Sequence, residues 1–480
     1  MNPIFPLIAI LLPIVGGALM PPLKIREGTP LRIYVACVTV ATSLLCWAML
    51  LFCPEERVEL IAFTDALQLA VKLDALSRFF LGIIATLWPL TVLYGFSYMQ
   101  GEERQRTFFT FFTIAFGVTI GVASSANLFT LYCFYELLTL STAPLVMHTR
   151  TRDAIRAART YFVFCLGGAA FGFVALVYYT ISGGAVERSA MTQFFYLLGF
   201  FGFGAKAAVF PLHIWLPRAS VAPTPVTALL HAVAVVKSGV FAIIRLTYFA
   251  YGTEALKGSF AQYVAMGFAV FTIVYGAAQA VREGHLKRRL AWSTVANLSY
   301  ILFGVLLMTE RGLSAGLQHM AYHAGFKILA FFCAGAVLKW TGREHVRELD
   351  GLGLRMPVTF TLFTIAALNL VGIPPFTGFL SKWSLLTAAA AAGTVEGYVG
   401  AGTILTAALL TAVYCLTAVR RAFFPDREAD LSGLGMVHEA DAMMLIPMCI
   451  IAAGLLVMPF FAGRISAVTD AVAASVALWQ

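Results

Sequence analysis

Charge is scarce in this sequence: 12% of its 480 residues are Asp, Glu, Lys or Arg, against 60% hydrophobic residues and a mean hydropathy of +0.85. A soluble chain of that size needs far more charge to keep its surface wet, so a globular enzyme is excluded. Long polar stretches are missing as well. The longest, 54–74, 341–355 and 425–441, are too short to fold as a separate soluble domain. The eight cysteines lie in or beside apolar runs, and none forms a CxxC or other metal-ligand spacing. That argues against iron–sulfur ligation, a disulfide framework, and any resident metal or cofactor. The first segment has no basic start and no small-residue cleavage site, so a retained helix is expected there rather than a signal peptide.

Windows of about 20 apolar residues recur instead along the whole length, the number a helix needs to cross a bilayer. They predict an all-α polytopic membrane protein, a single membrane domain over 1–480. Spans are expected near 3–23, 31–53, 76–99, 107–124, 127–147, 158–181, 191–210, 222–248, 259–281, 286–308, 313–338, 356–391, 398–423 and 440–461, about fourteen in all. The basic residues set the orientation. Twenty-one fall in odd-numbered loops, among them Arg150, Arg156, Lys287, Arg289 and Arg427; five fall in even-numbered ones, Arg57, Lys72, Arg188, Lys257 and Arg311. The odd loops are therefore expected in the cytoplasm and both termini outside. The net charge of +9 expresses this bias and not a nucleic-acid partner.

Two windows are interrupted. One runs from Gly202 through Gly204 and Lys206 to Pro211; the other runs from Gly372, Pro374 and Pro375 through Gly378 to Lys382. Glycine and proline free backbone groups that lipid cannot satisfy, so such breaks must be buried in protein or face water. Matching breaks in two halves point to an inverted repeat with an ion path where the repeats meet. The expected units are 107–248 and 259–423, five helices each, preceded by three helices in 1–106 and followed by one in 440–461.

The few charges that enter the apolar runs carry the functional signal. Lys206, Lys237, Lys327 and Lys382 each lie inside or at the edge of such a run, and Glu136 stands alone between Leu128 and Val146. A lysine at mid-bilayer costs roughly 3 kcal/mol even on the lenient insertion scale. Burial and neighbouring charge set whether such a group holds its proton, so Glu136 moving relative to Lys206 would load or unload the lysine. The bland alternatives are a packed salt bridge for Glu136 and snorkelling for Lys206 and Lys237. His319, His323 and Lys327 recur every four residues and form one stripe on a helix face, about 6 Å apart along the axis, a spacing that one water bridges. Histidine suits a proton relay because it titrates near neutral pH. Packing histidines, or a zinc pair lacking the usual further ligands, are the alternatives. His231 is a weaker relay member, off the helix face of Lys237; Arg78 and Arg245 read as anchors at span ends.

At this point the residues resemble a known family. The run FGFGAKAAVFPLHIWLPRASVAPTPVTALLHAVAVVKSGVFAIIRL (201–246) is similar to the signature of antiporter-like membrane subunits of respiratory complex I, Mrp-type cation/proton antiporters and membrane-bound hydrogenases. LYCFYEL (131–137), LKRRLAWS (286–293), HAGFK (323–327) and GIPPFTGFLSKW (372–383) fit in the same order. The resemblance, over roughly 70–425, implies fourteen helices, inverted five-helix repeats and a lateral proton route through Glu136, Lys206, Lys237, His323, Lys327 and Lys382. It gives Asp74 as the acidic residue preceding the third helix. Lys382 departs from the glutamate of one branch, and Ser220 from the usual histidine or methionine. The function it implies is a non-catalytic, proton-translocating subunit of a redox-driven complex in a prokaryotic inner membrane. Its partners would be further membrane subunits, the lipid bilayer and a cytoplasmic arm of iron–sulfur, hydrogenase or dehydrogenase type. The alternative is a subunit of an Mrp-type sodium/proton antiporter without a redox partner. A non-conducting scaffold is the remaining rival.

Overall fold

The computed structural model describes residues 4–64, 67–184, 186–426 and 432–477; Arg427 of the odd-loop set lies outside them. The chain opens with α1 (Ile4–Leu19) and α2 (Thr29–Phe52), then an antiparallel hairpin, β1 (Val58–Ala62) and β2 (Gln68–Val71). Helices α3 (Ala75–Tyr98), α4 (Gln105–Ala123), α5 (Leu128–Val146) and α6 (Arg152–Ile181) follow. Next come α7 (Ala190–Gly204), short α8 (Trp215–Arg218), α9 (Thr224–Ala232), α10 (Val235–Ile244) and short α11 (Thr253–Leu256). The second half holds α12 (Phe260–Arg282), α13 (Leu286–Leu306), α14 (Glu310–Thr341), α15 (Pro357–Val371), α16 (Thr377–Ala392), α17 (Val395–Phe423), α18 (Ala442–Val457) and α19 (Ala462–Ala477).

Among the described residues, eleven helical stretches are long and apolar enough to cross a membrane. Three shorter apolar helices, α1, α7 and α15, occupy the expected windows 3–23, 191–210 and 356–391. The chain is a multi-pass membrane protein built of helices. Local signals fix the helix starts: Asp74, Asn127, Thr151, Ser189, Ser259, Thr309, Thr394 and Asp441 each accept a backbone N–H with the side chain at an N-cap. Gly342, Gly372 and Gly393 take left-handed conformations at the C-caps of α14, α15 and α16.

The all-α membrane fold is as expected, with three local differences. Loop 54–74 contains the hairpin, tied down where Asn127 Nδ2 donates to Gln68 O (2.8 Å) and Ala70 N donates to Thr130 Oγ1 (2.9 Å). The window 222–248 is not one helix: Val233 and Ala234 leave helical geometry between α9 and α10. No glycine or proline marks that break, but the β-branched run Val233, Val235 and Val236 weakens helical preference there. The last span does not stop at Phe461, since the chain continues helically to Ala477 and packs on α14.

Close backbone approach places the first break. Gly168 of α6 and Gly202 of α7 leave no room for a Cβ, which would clash with Ala205 Cβ and Gly172 N respectively, the small-residue packing that lets membrane helices touch. On the other side, a Cβ on Gly239 of α10 would meet the backbone of Ala207 and Lys206 at 2.5–2.8 Å. The segment carrying Lys206 is thus clamped between α6–α7 and α10.

Candidate functional site

Both expected breaks are present, and side chains satisfy part of the backbone they free. After Gly204 the chain runs through turns to α8. There Trp215 Nε1 donates to Ala205 O (2.7 Å), and Phe210 N donates to Thr272 Oγ1 (3.1 Å). Pro211 lies in this segment, and its peptide bond with Phe210 is cis. The second break, Gly372 to Phe376, holds Pro374 and Pro375 with a cis bond between them. Asn369 Oδ1 accepts from Thr377 Oγ1 (2.6 Å) and from Gly378 N (3.3 Å) across it. Side chains thus meet part of the backbone each break frees, while Pro211, Pro374 and Pro375 themselves lie exposed.

The four lysines share one arrangement. All are buried, Lys206, Lys237 and Lys327 completely and Lys382 to 5% exposure, and each ammonium donates to a backbone carbonyl. Lys206 Nζ donates to Tyr135 O of α5 and lies 3.3 Å from the centre of the Tyr135 ring. Lys237, in the first turn of α10, donates to Ala232 O, the last carbonyl of α9. Lys327 donates to Leu290 O (2.7 Å) and to Ser293 Oγ on α13. Lys382 donates to Leu370 O (2.7 Å) and Val371 O (2.9 Å), the last carbonyls of α15. Lys237 and Lys382 therefore sit where a broken helix presents its negative end, which favours a cation.

No carboxylate lies within 4.0 Å of any of these ammonium groups among the described residues. Glu136 is half-buried, one residue beyond the carbonyl that Lys206 engages, and its Oε1 is buried with no protein partner. The two are near enough to interact through space without forming an ion pair.

The histidines connect the lysines. The His319 and His323 ring centres are 6.0 Å apart. His319 is held at both nitrogens, 2.9 Å from Ser381 Oγ and 3.2 Å from Asn297 Oδ1. His323 and His231 are fully buried with both ring nitrogens unpartnered by protein. Lys237 and Lys327 act on His323 electrostatically, Lys382 and Lys237 on His319, and Lys327 and Lys287 on His231. The structure thus brings together His231, Lys237, His319, His323, Lys327 and Lys382 as one buried cluster. Glu136 and Lys206 form a second, joined to it through the Gly239 contact.

Sequence reasoning missed several members. Ser293 and Asn297 on α13, and Ser381 on α16, hydrogen-bond the array; Ser293 and Asn297, four residues apart on an apolar helix, were the available signal. Lys287 and Arg289, counted as loop charges, are buried in the first turn of α13, where Lys287 Nζ donates to Ala222 O (2.8 Å) and Arg289 Nη1 donates to Tyr414 O (3.1 Å). Arg245 does anchor, through a bidentate pair with Asp74 (2.5 and 2.8 Å) and a bond to Ser77 Oγ (2.9 Å). Burial alone would raise the Asp74 carboxyl, but the Arg245 guanidinium and the Ser77 donors hold it below its ordinary value.

Residues 125–411 match the family described as NADH:quinone oxidoreductase/Mrp antiporter, TM. The chain is 32% identical to the A subunit of the Na(+)/H(+) antiporter of Alkalihalophilus pseudofirmus, over 82% of this chain and 53% of that protein. It is 31% identical to the A1 subunit of the Na(+)/H(+) antiporter of Staphylococcus aureus, over 82% of this chain and 52% of that protein. The chain thus spans about half the length of the curated relatives it matches. Its fold superposes on a chain of the Mrp complex from Dietzia sp. with a TM-score of 0.88, at 20% identity, covering 99% of this chain and 98% of that one. A chain of respiratory complex I from Thermus thermophilus gives 0.83 at 24% identity, covering 99% of each. A chain of an archaeal membrane-bound sulfane sulfur reductase gives 0.87 at 23%, covering 98% of this chain and 97% of that one.

Proposed function

Because this chain belongs to the NADH:quinone oxidoreductase/Mrp antiporter family of membrane subunits, we propose that it is a proton-translocating subunit of a multisubunit membrane complex. The observation that carries the reading is the set of four buried ammonium groups, each held by carbonyls and none neutralised by a carboxylate. Carbonyls solvate a cation without fixing its charge, so a nearby charge decides whether the proton stays.

In this reading Glu136 is the control element. It stands beside Lys206 but out of contact, so a shift of α5 or of the break closes or opens the pair and loads or unloads Lys206. Protons then pass laterally through Lys237, His231, His323, Lys327 and His319 to Lys382. Water completes the gaps: the 6.0 Å between the His319 and His323 rings is too long for a direct bond and short enough for one bridging molecule. The unpartnered nitrogens of His231 and His323 are sites that water serves. Units 107–248 and 259–423 act as the two inverted repeats, each contributing a break marked by glycine and proline with its lysine, with 1–106 before them and the helical run 442–477 after. The odd loops face the cytoplasm of a prokaryotic cell and the termini face out. Further membrane subunits pack alongside, and a cytoplasmic redox arm of iron–sulfur, hydrogenase or dehydrogenase type drives the cycle. The chain itself carries out no catalysis.

A second reading rests on the 32% identical relative, whose name is that of a Na(+)/H(+) antiporter component: the same groups would move protons against sodium, with no redox partner. Proton movement in inside-out vesicles containing the whole complex separates the two. With Lys206→Ala, loss of proton uptake in an assembled complex is expected in either case. Wild-type uptake driven by an electron donor supports the redox reading; uptake driven only by an imposed sodium gradient supports the antiporter.

A further inference from the structure

We infer that the last helix, α19, completes a release path for protons on the even-loop face, with Asp470 as its terminal acceptor; this rests on the proton-translocating reading above. The path starts at His319, whose Nδ1 lies 2.9 Å from Ser381 Oγ, on the turn that carries Lys382. One turn further along α16, Ser384 Oγ donates to Gln318 Oε1 (2.7 Å). Gln318 Nε2 donates to Ser466 Oγ (3.1 Å) and Thr469 Oγ1 (3.3 Å) of α19. Thr469 Oγ1 shares a hydrogen bond with Ser314 Oγ (2.9 Å), and Ser314 Oγ donates to Asp470 Oδ1 (2.5 Å).

Apart from the step between Ser381 and Ser384, where no direct bond is made, these bonded groups run from the bundle centre outward. His319 and Thr469 are fully buried and Ser314 nearly so, while Asp470 is exposed. Ser314 lies one turn from Glu310, where α14 begins, and Ala473, the next turn of α19, lines a cleft of about 510 Å³ with Glu310 and Arg311. Ser466, Thr469 and Asp470 fall at i, i+3 and i+4, so α19 turns one polar face onto α14. Hydrogen-bonding groups at a helix–helix contact in lipid contribute little to association on average, and docking alone does not call for an ionisable end. A proton reaching the His319–Lys382 end of the array passes through Ser381, bridging water and the hydroxyls to the Asp470 carboxylate, and then to bulk water. Gln318 carries no proton and orients its neighbours. No electrons move.

Asp470→Asn in the assembled complex separates this path from a merely structural role, since asparagine still accepts from Ser314 but takes no proton. Translocation is expected to fall about tenfold, less than for a fully enclosed proton acceptor because water at the mouth still serves. The melting temperature should stay unchanged, and Asp470→Glu should recover the rate. If Asp470→Asn fails to assemble, the Ser314→Ala/Ser384→Ala double variant is measured instead: a comparable fall supports the path and a full rate overturns it. Lys382→Ala is the control. A full rate for Asp470→Asn beside an inactive Lys382→Ala overturns the release path alone; a full rate for Lys382→Ala overturns the translocation reading and this inference with it.

Discussion

Lys206, Lys237, Lys327 and Lys382 meet the cost of burial in the same way, by lodging the ammonium on carbonyl oxygen. Such a site holds a cation and also tolerates its loss, because no carboxylate is stranded when the proton leaves. Lys237→Met keeps the aliphatic stem and removes the charge. It is expected to leave the complex assembled on a native gel while cutting translocation on the order of a hundredfold. Asp74 and Arg245 show the opposite chemistry, a tight bidentate pair with both side chains about nine-tenths buried. Arg245→Ala leaves the carboxylate uncompensated, and a loss of about 3 kcal/mol is expected in a thermal melt of the solubilised protein. The sign of the pH effect follows from the lowered Asp74 value. The pair contributes fully above the unfolded carboxylate range, near pH 4, and its contribution is lost as pH falls through the folded value. Melting temperature should therefore drop on acidification, and by less in Asp74→Asn.

The helix breaks are the elements that make these residues available. Gly239 lets α10 approach the Lys206 segment, and Gly239→Val is expected to force the two apart, lowering translocation without removing any titratable group. Proton uptake measured beside the amount of assembled complex tests this. The breaks at Gly204–Pro211 and Gly372–Gly378 were legible because glycine and proline disrupt helices by themselves. The break at Val233 was not, since only a β-branched run marks it. The hairpin at 58–71 was hidden because its two short strands lie in a polar loop. The helical run past Phe461 was hidden because Arg464, Ser466, Thr469 and Asp470 dilute its hydropathy. The stripe of His319, His323 and Lys327 could be read from spacing alone. Its partners Ser293, Asn297 and Ser381 could not, because most hydroxyls in these helices bond their own backbone, as Thr119 does to Ala115 O (2.6 Å), and only packing shows which do more.

The whole bundle places its charged array where no lipid reaches, yet it leaves Glu136 half-buried on a flank where Leu137 and Leu140 are 45% and 49% exposed. That flank suits a neighbouring membrane subunit, whose movement would act on Glu136. Leu140→Cys labelled with a thiol-reactive photocrosslinker is accordingly expected to form, in native membranes, an adduct with a neighbouring membrane protein that the equally labelled wild type lacks, identified by mass on a gel. The central claim is that the charge of Glu136 governs the protonation of the lysine array, and one measurement tests it most directly: proton uptake by inside-out vesicles carrying the Glu136→Gln complex. Glutamine keeps the shape and the hydrogen-bonding capacity and cannot ionise. An assembled complex that no longer moves protons is the predicted result; translocation at the full wild-type rate would contradict the account.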